Sequence, residues 1–211
     1  MHVSPNRSPL VAAIDGGAGA AELPPEAQAQ LDSLFVGLSG QGPFSIGYPC
    51  NQDFDYTPLY RFLGLSLNNV GDPFSGSNYR LNTHAFEREV LADFARLAGF
   101  REEEITGPDR SYWGYVTNGG TEGNMYGLYL ARELFPEGIV YFSEDTHYSV
   151  AKILRLQHTR NIMIRSKPDG EMDYEDLEES LCIHRDAPPI FFVNVGTTMT
   201  GAIDRVDRIR E

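Results

Sequence analysis

The sequence predicts an α/β fold built on a parallel sheet with helices on both faces. Three observations predict it. From residue 112 onward, short β-branched and aromatic runs alternate with longer amphipathic ones. The run Ile190-Phe191-Phe192-Val193 is apolar throughout, as in a strand buried on both sides. Three of the strand-like runs are followed by short polar or glycine-rich segments, at the rim where open α/β sheets hold ligands.

The elements follow in order. Residues 1–23 are rich in Ala, Gly, Pro and Ser and show no period, so a disordered tail is expected. Pro24-Pro25 opens a helix over 26–38 with Leu31, Leu34 and Phe35 on one face. Residues 40–52 read as a loop, and 55–65 as a short helix carrying Leu59, Phe62 and Leu63. Residues 68–73 are turn chemistry. Asn82 then caps a helix in which Phe86, Val90, Phe94 and Leu97 recur at helical spacing, and Gly99 ends it. Strands are expected at 112–117, 139–143, 161–165 and 190–195. Between them lie helices over 121–135, 147–157 and from the cap Asp173 to His184, with a last helix starting near Asp204. The chain therefore divides into a tail (1–23), an N-terminal helical segment (24–100) and a partial large domain (101–211). The series stops at Arg210-Glu211 inside a starting helix, which reads as truncation. An open sheet with unpaired edges predicts an isolated chain prone to aggregate.

Composition narrows the function classes. The chain has 211 residues and a net charge of −13, and its only lysines are Lys152 and Lys167. Phosphate-backbone binding needs clustered Lys and Arg, so a nucleic-acid partner is not expected. Cys50 and Cys182 match no metal-site spacing and make no disulfide framework, which suggests free thiols in a reducing compartment and no metal. No apolar run reaches the ~20 residues of a membrane span. The N-terminus lacks a secretory pattern. A cytoplasmic protein with no membrane partner is the expectation.

Three segments carry chemistry. Asn118-Gly119-Gly120-Thr121-Glu122-Gly123-Asn124 stands between a strand and a helix. Glycines there let backbone N–H groups approach a phosphate, the helix N-terminus adds its dipole, and Thr121 adds a hydroxyl. A plain glycine turn capped by Thr121 reads equally well. Neither the P-loop nor the dinucleotide fingerprint is present. Glu144-Asp145-Thr146-His147-Tyr148-Ser149 follows the second strand. An imidazole there suits stacking on a flat ring or moving protons near neutral pH. Alternatively, His147 is simply a residue in a first helical turn. Asn194-Val195-Gly196-Thr197-Thr198 ends the last strand, its hydroxyls suited to a polar ring substituent, or it is only a strand-ending turn. His2, His84, His158 and His184 have no comparable setting.

At these residues the sequence resembles the bacterial pyridoxal-phosphate-dependent histidine decarboxylases and, slightly less closely, the plant serine decarboxylases. Both are group II amino-acid decarboxylases. The resemblance runs from about Phe44 to the end. It rests on Ile46-Gly47-Tyr48-Pro49, Asp53-Phe54-Asp55-Tyr56 and Leu67-Asn68-Asn69-Val70-Gly71-Asp72, on the stretch from Tyr112 to Asn124, on Glu133-Leu134, on Thr146-His147-Tyr148-Ser149-Val150 and on Asn194-Val195-Gly196-Thr197-Thr198. It implies the large domain of a fold type I, aspartate-aminotransferase-like architecture, pyridoxal 5'-phosphate as cofactor, a small amino-acid substrate and a homodimer or higher homo-oligomer with its sites at the subunit interface. By the same resemblance Gly120 and Thr121 hold the cofactor phosphate. His147 stacks on the ring beside the substrate, as the catalytic residue of this chain, and Thr198 lies near the ring's phenolic oxygen. Tyr48 and Asn69 help shape the substrate entrance.

The family also uses an aspartate opposite the pyridine nitrogen and a cofactor-bearing lysine, both beyond the Gly-Thr-Thr strand. Neither is in this chain, and Asp204, Asp207 and Lys152 do not replace them. The expectation is a complete protein that decarboxylates L-histidine, with L-serine the next candidate, and an inactive 211-residue piece. A non-catalytic truncated paralogue that pairs with a full-length subunit is the competing class. A nucleotide-binding α/β domain is disfavoured by the missing fingerprints.

Overall fold

Ile139–Ser143 (β1) runs through the middle of a parallel sheet, and every one of its residues is buried. The computed structural model describes residues 23–44, 54–107 and 110–210. Strand order is β2-β1-β3, where β2 is Asn161–Ile164 and β3 is Pro189–Phe191. Val140 pairs with Asn161 on one side and with Ile190 on the other. Side chains alternate across the strand. Val140 and Phe142 therefore enter one core with Leu128, Val150, Ile153 and Leu154, while Ile139 and Tyr141 enter another with Ile164, Met172, Tyr174 and Leu177. The first core is covered by Gly120–Leu134 (α4) and Ser149–Leu156 (α5), the second by Tyr174–Ile183 (α6). This is the two-faced parallel sheet that the sequence predicts.

The strand expected to be buried on both faces is not. The apolar run at 190–195 pairs only over Pro189–Phe191, with one further bond from Phe192 N–H to the Tyr141 carbonyl, and its apolar residues are exposed or half-buried. It is an edge of the sheet among the described residues, and β1 holds the doubly buried place. Residues 112–117 form no strand. The segment pairs with no strand among the described residues, and its Val116 N–H donates instead to the Glu87 carboxylate at 2.8 Å. Three strands, not four, are present among the described residues.

Helix limits follow local chemistry. Asp173 caps α6 as expected, its Oδ1 accepting from Glu175 and Asp176 N–H. His84–Leu97 (α2) is capped by Thr83, one residue later than expected, while Asn82 still accepts the His84 N–H at 3.2 Å. Gly99 has φ +89, the left-handed turn that ends the helix. Glu102–Thr106 (α3) follows, tied back to α2 by the fork of Arg96 on Glu102. The final helix, Val206–Ile209 (α7), starts two residues beyond Asp204.

The chain divides into two units, Met1–Leu67 and Asn68–Glu211. The described part of the first holds Pro25–Gln41 (α1) and two 3-10 turns, Gly42–Phe44 and Thr57–Phe62, the latter in place of the expected α-helix. Leu34, Phe35, Val36 and Leu38 of α1 are all exposed. The expected tail and Tyr48 lie outside the described residues.

Tyr174 ties the start of α6 to the turn before α7. Its hydroxyl donates to Glu171 at 2.7 Å and accepts the Arg205 N–H at 2.6 Å. Burial, reinforced by the Glu171 carboxylate, pushes its pKa up to about 12. In an unfolded chain a tyrosine titrates near ~10. The neutral hydroxyl thus supports the fold fully below about pH 10, and that support is lost as pH climbs through the folded value. Melting temperature measured from pH 8 to 11.5 should fall steeply over the last two units in the parent chain and more gently in Tyr174→Phe.

Candidate functional site

The sheet reverses its winding at one place. From β1 the chain passes to α5 on one face, whereas from β3 it passes to α7, whose Ile209 packs on the opposite face. Right-handed crossovers produce this arrangement, and it opens a crevice between the carboxyl ends of the two strands. The segments after β1 and β3 are those that carry His147 and Thr198.

A buried polar junction joins them. Asn194 Nδ2 donates to Ser143 Oγ and Thr146 Oγ1, both at 3.1 Å, and to Asp204 Oδ2 at 2.9 Å. Asp204 also accepts the N–H of Asn194 at 2.7 Å and of Met172 at 2.9 Å. All five residues are buried, Asp204 to 3% exposure. The Thr146 hydroxyl is shared with Ser143 N–H, so the turn into His147 is fixed from both sides. Beyond Asn194, Val195 pairs with Ile203 and the Thr197 hydroxyl accepts the Ala202 N–H, leaving Thr198 exposed at the tip of the turn. Gly170 sits against this turn at φ +87, and a Cβ there would overlap the Thr200 side chain.

His147 is half-buried. Its Nδ1 lies 2.8 Å from Ser149 Oγ and accepts the Ser149 N–H at 3.3 Å. Tyr148 lies beside its ring, at 4.3 Å between centroids.

The glycine turn makes a second assembly. Gly119 caps α4 with its carbonyl, which accepts from Glu122 and Gly123 N–H and leaves the N–H groups of Gly120 and Thr121 outside the helical ladder. Nothing lies within 4 Å of where a Cβ would stand on Gly119 or Gly120. The turn opens on a groove of about 730 Å³, lined further by Tyr115, Met125, Tyr126, Tyr129 and Gln157. A negative charge stands near, but it is engaged. Glu122 accepts from Asn118 N–H, Asn118 Nδ2 and the Tyr115 hydroxyl, and the Asn118 N–H above all holds its pKa below the usual carboxylate range. Asn69 borders a neighbouring groove that shares Tyr115, Asn118 and Glu122 with the first. Its Oδ1 accepts the Thr83 N–H at 2.7 Å and its Nδ2 donates to Glu87 at 2.8 Å.

The structure therefore brings the His147 and Thr198 turns together through Asn194, and Asn69 near the Gly120-Thr121 turn through shared lining. No hydrogen bond among the described residues links the two assemblies directly. Sequence reasoning passed over Ser143, Thr146 and the role of Asp204. A buried carboxylate read from sequence looks like any loop aspartate, and only the strand pairing shows that it lies beneath Asn194. Donors at a helix end, open space above two glycines and an imidazole at the sheet's crevice suit a flat ligand with a phosphate tail.

No protein-family model matches the chain. It is 47% identical over 188 residues to the histidine decarboxylase of Mesorhizobium japonicum, covering 89% of this chain and 49% of that one. It is 50% identical over 184 residues to the histidine decarboxylase of Pseudomonas entomophila, covering 87% and 44%. The chain spans about half the length of these curated relatives. Among solved structures it superposes on L-methionine decarboxylase from Streptomyces sp. 590, in the internal aldimine form, with a TM-score of 0.75 and 27% identity, covering 92% of this chain and 49% of that one. Its structural neighbours are fold type I pyridoxal-phosphate-dependent decarboxylases, and the chain has the corresponding part of that fold. No helix among the described residues is long and apolar enough to cross a membrane.

Removing the Asp204 carboxylate strands two buried N–H donors, each at a cost of ~1–3 kcal/mol. Asp204→Ala should lower unfolding free energy by about 2–6 kcal/mol in urea titrations. Asp204→Asn, which keeps one acceptor oxygen, should lose less.

Proposed function

We propose that the chain forms part of a pyridoxal-phosphate-dependent carboxy-lyase whose substrate is L-histidine, released as histamine and CO₂. The observation that carries this reading is the Asn194–Asp204 junction, which holds the His147 and Thr198 turns at the crevice of a fold type I sheet. The histidine decarboxylase relatives, at 47–50% identity over about nine-tenths of the chain, support the substrate.

In this reading the residues divide the work. The free N–H groups of Gly120 and Thr121, with the Thr121 hydroxyl and the α4 dipole, bind the cofactor phosphate. His147 covers the ring and keeps water from the reacting face. Thr198 offers a hydroxyl to the ring's phenolic oxygen. Asn69 belongs to the wall of the substrate entrance, and Tyr48 has the same role from outside the described residues. Bound there, pyridoxal phosphate supplies a conjugated electron sink for the bond that releases CO₂. Neither lysine of the chain suits covalent attachment. Lys167 pairs with Glu171 at 3.5 Å and covers the Tyr174 ring, and Lys152 lies on the outside of α5 over the Tyr148 ring at 4.4 Å. The exposed apolar side chains of α1 and of the Thr57–Phe62 turn favour a homo-oligomer in which they are covered.

Release of CO₂ from carboxyl-labelled amino acids, by the longest polypeptide the coding sequence supports, tests the substrate. L-Histidine should be turned over in preference to L-serine and L-methionine, and a preference for either competitor sinks the reading. The 211-residue chain should bind the cofactor without covalent capture, so borohydride fixes no label to Lys152 or Lys167. Thr121→Ala should weaken cofactor binding by about 5–10-fold, one lost hydrogen bond, as measured by fluorescence titration.

A further inference from the structure

His147 carries two hydrogen-bond contacts on one ring nitrogen and none on the other. Nδ1 lies 2.8 Å from Ser149 Oγ and accepts the Ser149 backbone N–H at 3.3 Å, while Nε2 makes no hydrogen bond among the described residues. A backbone amide only donates, so the nitrogen it faces must present a lone pair. In a neutral imidazole the proton then sits on Nε2, and the Ser149 hydroxyl, free to rotate, donates to Nδ1 as well. Ser149 is 3% exposed and is the first residue of α5, so its position is set by the helix and by the core that Val150 and Ile153 enter. The Val150 N–H donates to the His147 carbonyl at 3.0 Å, which fixes the backbone of the same residue.

We propose that Ser149 is a positioning residue that locks His147 in its Nε2–H tautomer. The ring thereby presents a donor at its free edge, matched to an anionic oxygen such as an amino-acid carboxylate and mismatched to an ammonium group. The identity of that oxygen rests on the proposed function; the tautomer does not. Ser149 acts through His147.

Ring-nitrogen NMR on the full chain, uniformly labelled with ¹⁵N and held near pH 9, where an ordinary imidazole is neutral, reads the tautomer directly. The chain has five histidines, and His147→Gln identifies the His147 signals by their disappearance. The parent chain should show well-separated signals, with the ring protons coupled as in an Nε2–H imidazole. Ser149→Ala, which keeps the backbone donor and loses the hydroxyl, should move both nitrogens part of the way toward the average of exchanging tautomers, and Ser149→Thr should restore the separation. A predominant Nδ1–H form in the parent chain overturns the proposal. Unchanged signals in Ser149→Ala, with helix content intact by circular dichroism, overturn the hydroxyl's part in it. Should Ser149→Ala not fold, the parent spectrum and Ser149→Thr still decide. Titration with pyridoxal phosphate, followed by fluorescence, tests the functional reading separately. An Nε2–H ring in a chain that binds no cofactor leaves the tautomer lock standing and removes the function.

Discussion

One buried carboxylate organises the rim of this sheet. Asp204 is almost wholly removed from water, and burying so polar a group is costly unless hydrogen bonds replace its hydration. Three donors do so, two from the backbone and one from Asn194 Nδ2. Because the donors belong to the Met172 segment and to the end of β3, satisfying the carboxylate fixes both relative to each other. Asn194 is oriented by Asp204 and passes the constraint to Thr146, next to His147 in the chain. The backbone that enters His147 is thus placed by a network in which each member satisfies the next, while the ring itself is held by Ser149.

That network is useful only where the sheet places it. β1 is buried on both faces because α4 and α5 cover one and α6 the other. With β2 and β3 on opposite sides of β1, the connections leave in opposite directions, and the crevice between them needs no dedicated insertion. Aligned backbone dipoles and turn residues alone then line the rim. Much of the chemistry follows from chain topology, and a small number of side chains suffices to turn a generic crevice into a specific one.

The sequence shows some of this and hides the rest for physical reasons. Ile139–Ser143, the Asp173 cap and the glycine stop at Gly99 are local signals, and each is where the pattern puts it. Residues 112–117 have strand composition, but a strand is defined by its partner, and the Val116 N–H finds a carboxylate instead. The run at 190–195 is nearly all apolar and still lies at an edge of the sheet among the described residues, since apolarity reports burial potential while strand order is a tertiary property. At the site, Gly120, Thr121 and His147 stand out because their chemistry is written in single residues. Asp204 stays hidden because its role consists of bonds to Met172 and Asn194, 32 and 10 positions away.

The two assemblies differ in what they need from the fold. In the proposed reading the phosphate is held by one helix end, at Gly119-Gly120-Thr121: the unladdered N–H groups and the dipole exist wherever α4 exists. The imidazole is different. His147 is oriented only if β1, β3, Asn194, Asp204 and the start of α5 are all in register, so its geometry carries the cooperativity of the whole sheet. In that reading tail binding would be the more robust of the two, surviving local loosening that would misplace the ring above it. A cofactor held by a tolerant tail and an exacting ring contact would bind well to a partly ordered rim yet be oriented only on a complete one.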